Sequence, residues 1–298
     1  MHILTTTYTA LLHLDLSTTR FITQFLDREA LETFSLVCQH WYFASRPTIF
    51  QKLIIGDQDK YQKLIKLLSQ CSDVYPWIKT LCIKRSQHED APTLDSYICA
   101  FASELVPRLS RLERLELAWF EELPPENIPL FLQTFSSLET VHTLCFMNCS
   151  FSHHVFLTLI HSFPSMTSLH LAGNVPHSTT IQLPFTQSGS RALQLQRLRY
   201  HEVEDRMCGK ESREAFIEVL YQAIVSSASK NYLRSLDVSF SCPLSLKHVG
   251  MLLTTVSGSL EDLKIKLPMS LKSWGKDRGC TGQSRLFDME PPANLWYG

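Results

Sequence analysis

The sequence predicts an α/β solenoid, with short parallel strands on the inner side of an arc and helices outside, preceded by a small all-α unit. Three observations predict it. A six-residue pattern, apolar-x-x-Leu-x-apolar, returns along the chain at intervals of 25 to 38 residues. Stretches with helical apolar spacing lie between the copies, and the alternate positions inside the copies are mostly polar. A recurring unit in this length range marks a stacked repeat protein, because one unit cannot cover its own apolar face.

The elements divide the chain into four parts. Residues 1–13 read as an N-terminal extension, 14–50 as a helical unit, 51–272 as the repeat arc, and 273–298 as a loose tail open to disorder. In the helical unit, Ser17 or Thr18 is expected to cap a first helix carrying Phe21, Ile22, Phe25 and Leu26. Asp27 is expected to cap a second with Leu31 and Phe34, and a third carries Cys38, Trp41 and Tyr42 and stops near Pro47. Between residues 21 and 43, thirteen side chains are apolar or aromatic. Three helices this short cannot bury them all among themselves, so some must face a neighbour.

The repeats follow. Their hexads are IKTLCI (78–83), LERLEL (112–117), VHTLCF (141–146), MTSLHL (166–171), LQRLRY (195–200), LRSLDV (233–238) and LEDLKI (260–265). FQKLII (50–55) extends the same ladder, its Leu53 lying 28 residues before Leu81. The intervening helices are expected over 94–105, 128–135, 155–163, 216–224 and 246–256, from apolar residues recurring three and four apart. A loop rich in serine, threonine and proline (173–191) is inserted into the fifth unit.

A doubly wound or barrel α/β enzyme also alternates strand and helix. Its strands are buried on both faces and read as continuous apolar runs. Here Arg114, Glu116, Ser168, His170, Arg197, Arg199, Asp237 and Lys264 interrupt the strands, and no Gly-x-Gly-x-x-Gly turn follows any of them. The same eight positions are the expected target-binding surface of the arc. Their mixed charge points to a polar protein surface rather than a nucleic acid.

The arc resembles the leucine-rich repeat family in its longer strand-plus-helix form, over roughly residues 50–270. It departs from that pattern in lacking a regularly placed asparagine or cysteine after each hexad. The run FITQFLDREALETFSLVCQHWYFASRPTIFQKLII resembles the F-box family, through Phe25-Leu26-Asp27, Leu31, Leu36-Val37-Cys38 and Trp41. The usual opening leucine–proline step is missing, and Leu14-Asp15-Leu16 stands in its place. The resemblance implies docking onto a Skp-type adaptor and through it a cullin scaffold. It places the adaptor contact on Phe21, Ile22, Phe25, Leu26, Leu31, Val37, Cys38 and Trp41, and it leaves the target protein unnamed.

Composition narrows the classes further. The chain balances 28 Lys and Arg against 29 Asp and Glu for a net charge of −1, which gives no general attraction for nucleic acid or an anionic membrane. Nine scattered cysteines without CxxC pairs read as free thiols, and the location expected is intracellular, cytoplasmic or nuclear. No apolar run approaches the roughly 18 residues of a membrane helix, and MHILTTTYTALLHL lacks the basic start of a signal peptide.

Chemistry finds little foothold. Cys145, Cys149, His153, His154 and His142 match no paired zinc-ligand spacing, so no metal or other cofactor is expected. No nucleophile elbow is present, and Arg191, Arg197, Arg199 and His201 read as a solvated strand face before they read as a phosphate site. The expected role is a non-catalytic substrate-recruiting subunit of a ubiquitin ligase. An interaction scaffold with a lapsed adaptor site, and an α/β enzyme, stay open as alternatives.

Overall fold

The computed structural model describes residues 14–56, 58–84, 105–120, 136–173, 193–202, 210–239 and 246–266, with isolated positions 129 and 133. The described residues fall into two compact units, residues 14–49 and residues 50–266.

The first unit is three short helices: α1 (Leu16–Thr23), α2 (Arg28–Ser35) and α3 (Gln39–Ile49). Asp15, rather than Ser17 or Thr18, caps α1, because its carboxylate accepts from the Ser17 N–H at 2.8 Å and the Thr18 N–H at 2.9 Å. It also takes the Ser17 hydroxyl. These bonds, led by the Ser17 hydroxyl, hold Asp15 well below the usual carboxylate range. An acidic cap thus stands near the helix start, where a proline would otherwise preset the backbone. Phe25 and Leu26 fall in the turn beyond α1. Asp27 caps α2 through the Ala30 N–H at 2.8 Å, and α3 runs two residues past Pro47. Trp41 is 1 % exposed and stacks on Phe34 with ring centroids 4.7 Å apart. A polar seam joins the first and third helices, with Thr19 Oγ1 standing 2.9 Å from His40 Nε2.

The second unit is built on eight strands: β1 (Lys52–Ile55), β2 (Thr80–Lys84), β3 (Arg114–Ala118), β4 (Thr143–Met147), β5 (Ser168–Ala172), β6 (Arg197–His201), β7 (Ser235–Ser239) and β8 (Asp262–Lys266). They form one parallel sheet in strict chain order. The leucines at the centre of the hexads, Leu53, Leu81, Leu115, Leu144, Leu169, Leu198, Leu236 and Leu263, are successive register partners in a single lateral row. A doubly wound sheet reverses its strand order and a barrel pairs its last strand with its first. Neither arrangement is present among the described residues. The fold is α/β and solenoid-like.

Helices α4 (Gln58–Gln70), α5 (His153–His161), α6 (Lys210–Val225) and α7 (Leu246–Val256) alternate with the strands. Leu68, Phe156, Phe216 and Val249 from these helices share one core with Leu81, Leu144, Leu198 and Leu236. The helices expected over 94–105 and 128–135, the loop 173–191 and the tail fall wholly or mostly outside the described residues. α4 was not foreseen. Among the described residues, no helix is long and apolar enough to cross a membrane.

Turns repeat as well as strands. Trp119, Asn148 and Gly173 each follow a strand directly and take φ of 64°, 52° and 63°. Each donates its N–H to the next strand's last residue, reaching Met147 O at 2.9 Å, Ala172 O at 2.7 Å and His201 O at 3.0 Å. Glycine and asparagine accept this left-handed backbone readily, whereas tryptophan does not. At the entry to the strands, hydroxyls stitch unit to unit: Thr140 donates to Leu112 O at 2.7 Å, and Ser229 donates to Leu193 O at 2.9 Å. β8 departs from the pattern. Leu263 keeps its register but is 46 % exposed.

Candidate functional site

Two surfaces stand out, one on each unit. On the helical unit, apolar side chains face outward although the unit has its own core of Leu31, Trp41 and Ala44. Phe21 and Phe25 pair edge to face with centroids 5.0 Å apart, and are 60 % and 74 % exposed. Leu36 and Val37 lie in the turn between α2 and α3, Leu36 at 87 % exposure. Tyr42 and Phe43 are also exposed on α3, with the Arg46 guanidinium over the Tyr42 ring at 5.0 Å. Exposed apolar groups this dense on so small a unit mark an interaction surface.

Of the eight residues expected at the adaptor contact, Phe21, Phe25 and Val37 are exposed, and Ile22, Leu26 and Cys38 are half-buried. Leu31 and Trp41 require correction. Both are buried, so in this structure they hold the unit together and offer no face to a partner. Leu36, Tyr42 and Phe43 were missed, since a single sequence does not tell which apolar side chains of a short helix point inward.

On the second unit, side chains alternate across each strand. One face enters the core with the helices. The far face carries every expected target-binding residue, gathered into two neighbouring lateral rows. Arg114, Thr143, Ser168, Arg197, Ser235 and Asp262 are successive partners in the first, and Glu116, Cys145, His170, Arg199, Asp237 and Lys264 in the second. Sequence alternation therefore placed all eight on one face, opposite the helices. It did not foresee that Glu116 and Ser168 are buried there.

Electrostatics explains the burial of Glu116. Its carboxylate accepts from Arg114 Nε at 2.7 Å and meets Lys52 Nζ at 3.0 Å. Burial pushes the carboxyl up, but the hydrogen bonds from Arg114 and Lys52 outweigh it and hold the group below its ordinary value. Across the sheet, Arg199 Nε donates to Asp237 Oδ2 at 3.1 Å, and the His201 ring stands 3.5 Å from the same carboxylate. Burial lowers His201 despite that neighbour. His170 is pushed down to about 4 by burial, with Arg114 and Arg199 adding to the effect, so it is neutral at pH 7. His201 and Asp262, with Lys52, Lys84 and Lys266, which were not singled out from the sequence, complete the charged side chains of this face.

The far face also holds the thiols of Cys82 and Cys145, flanking Glu116 in register. Burial raises Cys82 to about 11 and Cys145 to about 12. Cys149, in the turn after β4, is raised by burial to about 12, and its thiol lies 3.2 Å from Leu117 O on the preceding strand. Protonated thiols are poor nucleophiles and poor ligands. Among the described residues, no three His, Cys, Asp or Glu side chains are placed to hold a metal ion. His153, at the start of α5, has both ring nitrogens buried without a hydrogen bond. A hollow between α6 and α7, lined by Tyr200, Tyr221 and His248 among others, has a volume of about 20 Å³ and holds no more than a water. Arg191 of the expected anion cluster lies outside the described residues.

No protein-family model matches the chain, and no curated protein matches it. The geometry offers an apolar docking surface on a helical unit and a polar, charged face on a ladder of strands.

Proposed function

We propose that the chain is a substrate-recruiting subunit of a Skp–cullin–F-box ubiquitin ligase, its helical unit an F-box and its sheet a leucine-rich repeat arc. The observation that carries the reading is the double character of residues 14–49. The unit keeps a buried Trp41 and Leu31 for itself, yet holds Phe21, Phe25 and Leu36 out to solvent. The Cys149 thiol further supports the repeat reading, because it binds a backbone carbonyl of the preceding unit from the turn after its hexad.

In this role the chain works by proximity. The apolar surface docks a Skp-type adaptor, the far face of the sheet holds a target protein, and the raised local concentration brings the target to the ligase's transferring enzyme. No residue of this chain performs bond chemistry. Phe21, Phe25, Leu36 and Val37 form the centre of the adaptor contact, where a few buried apolar anchors carry most of the affinity. The place of action is cytoplasmic or nuclear.

The test is co-purification of the chain with a Skp-type adaptor, beside a version lacking residues 1–50. Retention of the adaptor by the intact chain alone supports the reading. A folded intact chain that retains no adaptor overturns it and leaves a repeat scaffold without a ligase.

A further inference from the structure

The charges of this chain are segregated. Overall it is nearly neutral, with 28 basic and 29 acidic residues. On the described far face of the sheet, seven lysines and arginines meet three carboxylates, a surplus of four, so the rest of the chain carries an excess of five negative charges. The three carboxylates, Glu116, Asp237 and Asp262, are each already paired with a neighbour on the same face. Lys84, Arg197 and Lys266 have no ion-pair partner among the described residues and are exposed.

We infer that this face binds an extended acidic segment of a protein, a run of aspartates and glutamates lying across the strands. The inference rests on the target-holding role proposed for the sheet and names the chemistry of the target. The spread of the cations selects the ligand. From Lys84 on β2 to Lys266 on β8 there are six strand spacings, roughly 29 Å, which an extended chain of about nine residues spans. A single phosphate needs donors converging on one point, whereas these cations are dispersed along a strip. A nucleic acid is disfavoured because no aromatic ring on the described strands of this face offers a base to stack on.

The experiment measures fluorescence anisotropy of labelled decaglutamate with the full chain, and of labelled oligothymidylate as the competing class. Two double variants make the same change in charge at different places. Arg197→Glu/Lys266→Glu reverses two unpaired cations of the far face, and Lys63→Glu/Lys66→Glu reverses two exposed lysines of α4. The expected result is saturable decaglutamate binding, weakened about tenfold by the first pair and unchanged by the second, with circular dichroism intact in both. Absence of saturable binding, equal weakening by both pairs, or tighter binding of oligothymidylate overturns the inference. Adaptor retention is measured on the same preparations. If the adaptor binds and decaglutamate does not, this inference alone falls. If decaglutamate binds and the adaptor does not, the ligase role falls and the acidic-segment site stands.

Discussion

The ammonium of Lys52 on β1 reaches across β2 to the carboxylate of Glu116 on β3, 3.0 Å away. Arg114 approaches the same carboxylate from its own strand. The Cys82 side chain, on the strand between, is buried and feels the charge of both Lys52 and Glu116. One carboxylate therefore ties three rungs of the ladder together on the face that has no helix core.

Glu116→Ala leaves two cations without their partner and uncovers Cys82. The expected loss is about 2 kcal/mol of unfolding free energy, read from urea denaturation at pH 7. Because the folded-state pKa of Glu116 lies below its ordinary value of 4.5, its contribution is fully present above that value and is lost as the pH falls through the folded pKa. The wild type should therefore lose more stability than Glu116→Ala on acidification below pH 4.5. Equal acid sensitivity of the two proteins would remove the carboxylate from this role.

Cys149 is expected to matter as a donor. Cys149→Ala leaves the Leu117 carbonyl without its thiol and should cost about 1 kcal/mol, while Cys149→Ser keeps a donor and recovers part of the loss. Thermal or urea midpoints of the two variants distinguish a bonding role from simple volume, which predicts that serine and alanine behave alike.

His170 provides the clearest titration. With its folded pKa near 4 and its ordinary value at 6.5, the folded chain binds fewer protons than the unfolded chain between these limits. Stability must then rise with pH across that window and flatten above it. His170→Gln removes this slope. An NMR titration placing the His170 imidazole near 6.5 contradicts the burial of this ring beside Arg114 and Arg199.

The thiols give a map of burial. Cys82, Cys145 and Cys149 should resist a thiol reagent at pH 8 in the native state and react once urea unfolds the chain, with mass spectrometry locating each label. Rapid native labelling of Cys145 would show that the middle of the far face is open.

The ladder was legible because each hexad places one leucine at the same point of its strand, and Leu53 to Leu263 align in register without a break. The far face was legible for the same reason, since alternation within a strand fixes which side chains share a face. Burial on that face was not legible. Glu116 is covered through Lys52, which lies 64 residues earlier in the chain and two strands away. α4 was not foreseen although Tyr61, Leu64, Ile65 and Leu68 keep helical spacing. Trp41 was misplaced for a physical reason: three short helices leave room for one large ring inside, and only tertiary packing against Phe34 decides which ring takes it.

The outward apolar side chains of residues 14–49 carry the proposed adaptor contact, and calorimetric titration of a Skp-type adaptor into the full chain tests it. Phe25→Asp/Leu36→Asp should abolish binding with the helical circular dichroism unchanged, because neither side chain contributes to the unit's core. Trp41→Ala should instead unfold the helical unit, at a cost of about 3–5 kcal/mol. Binding that survives the Phe25→Asp/Leu36→Asp change undiminished would contradict the account.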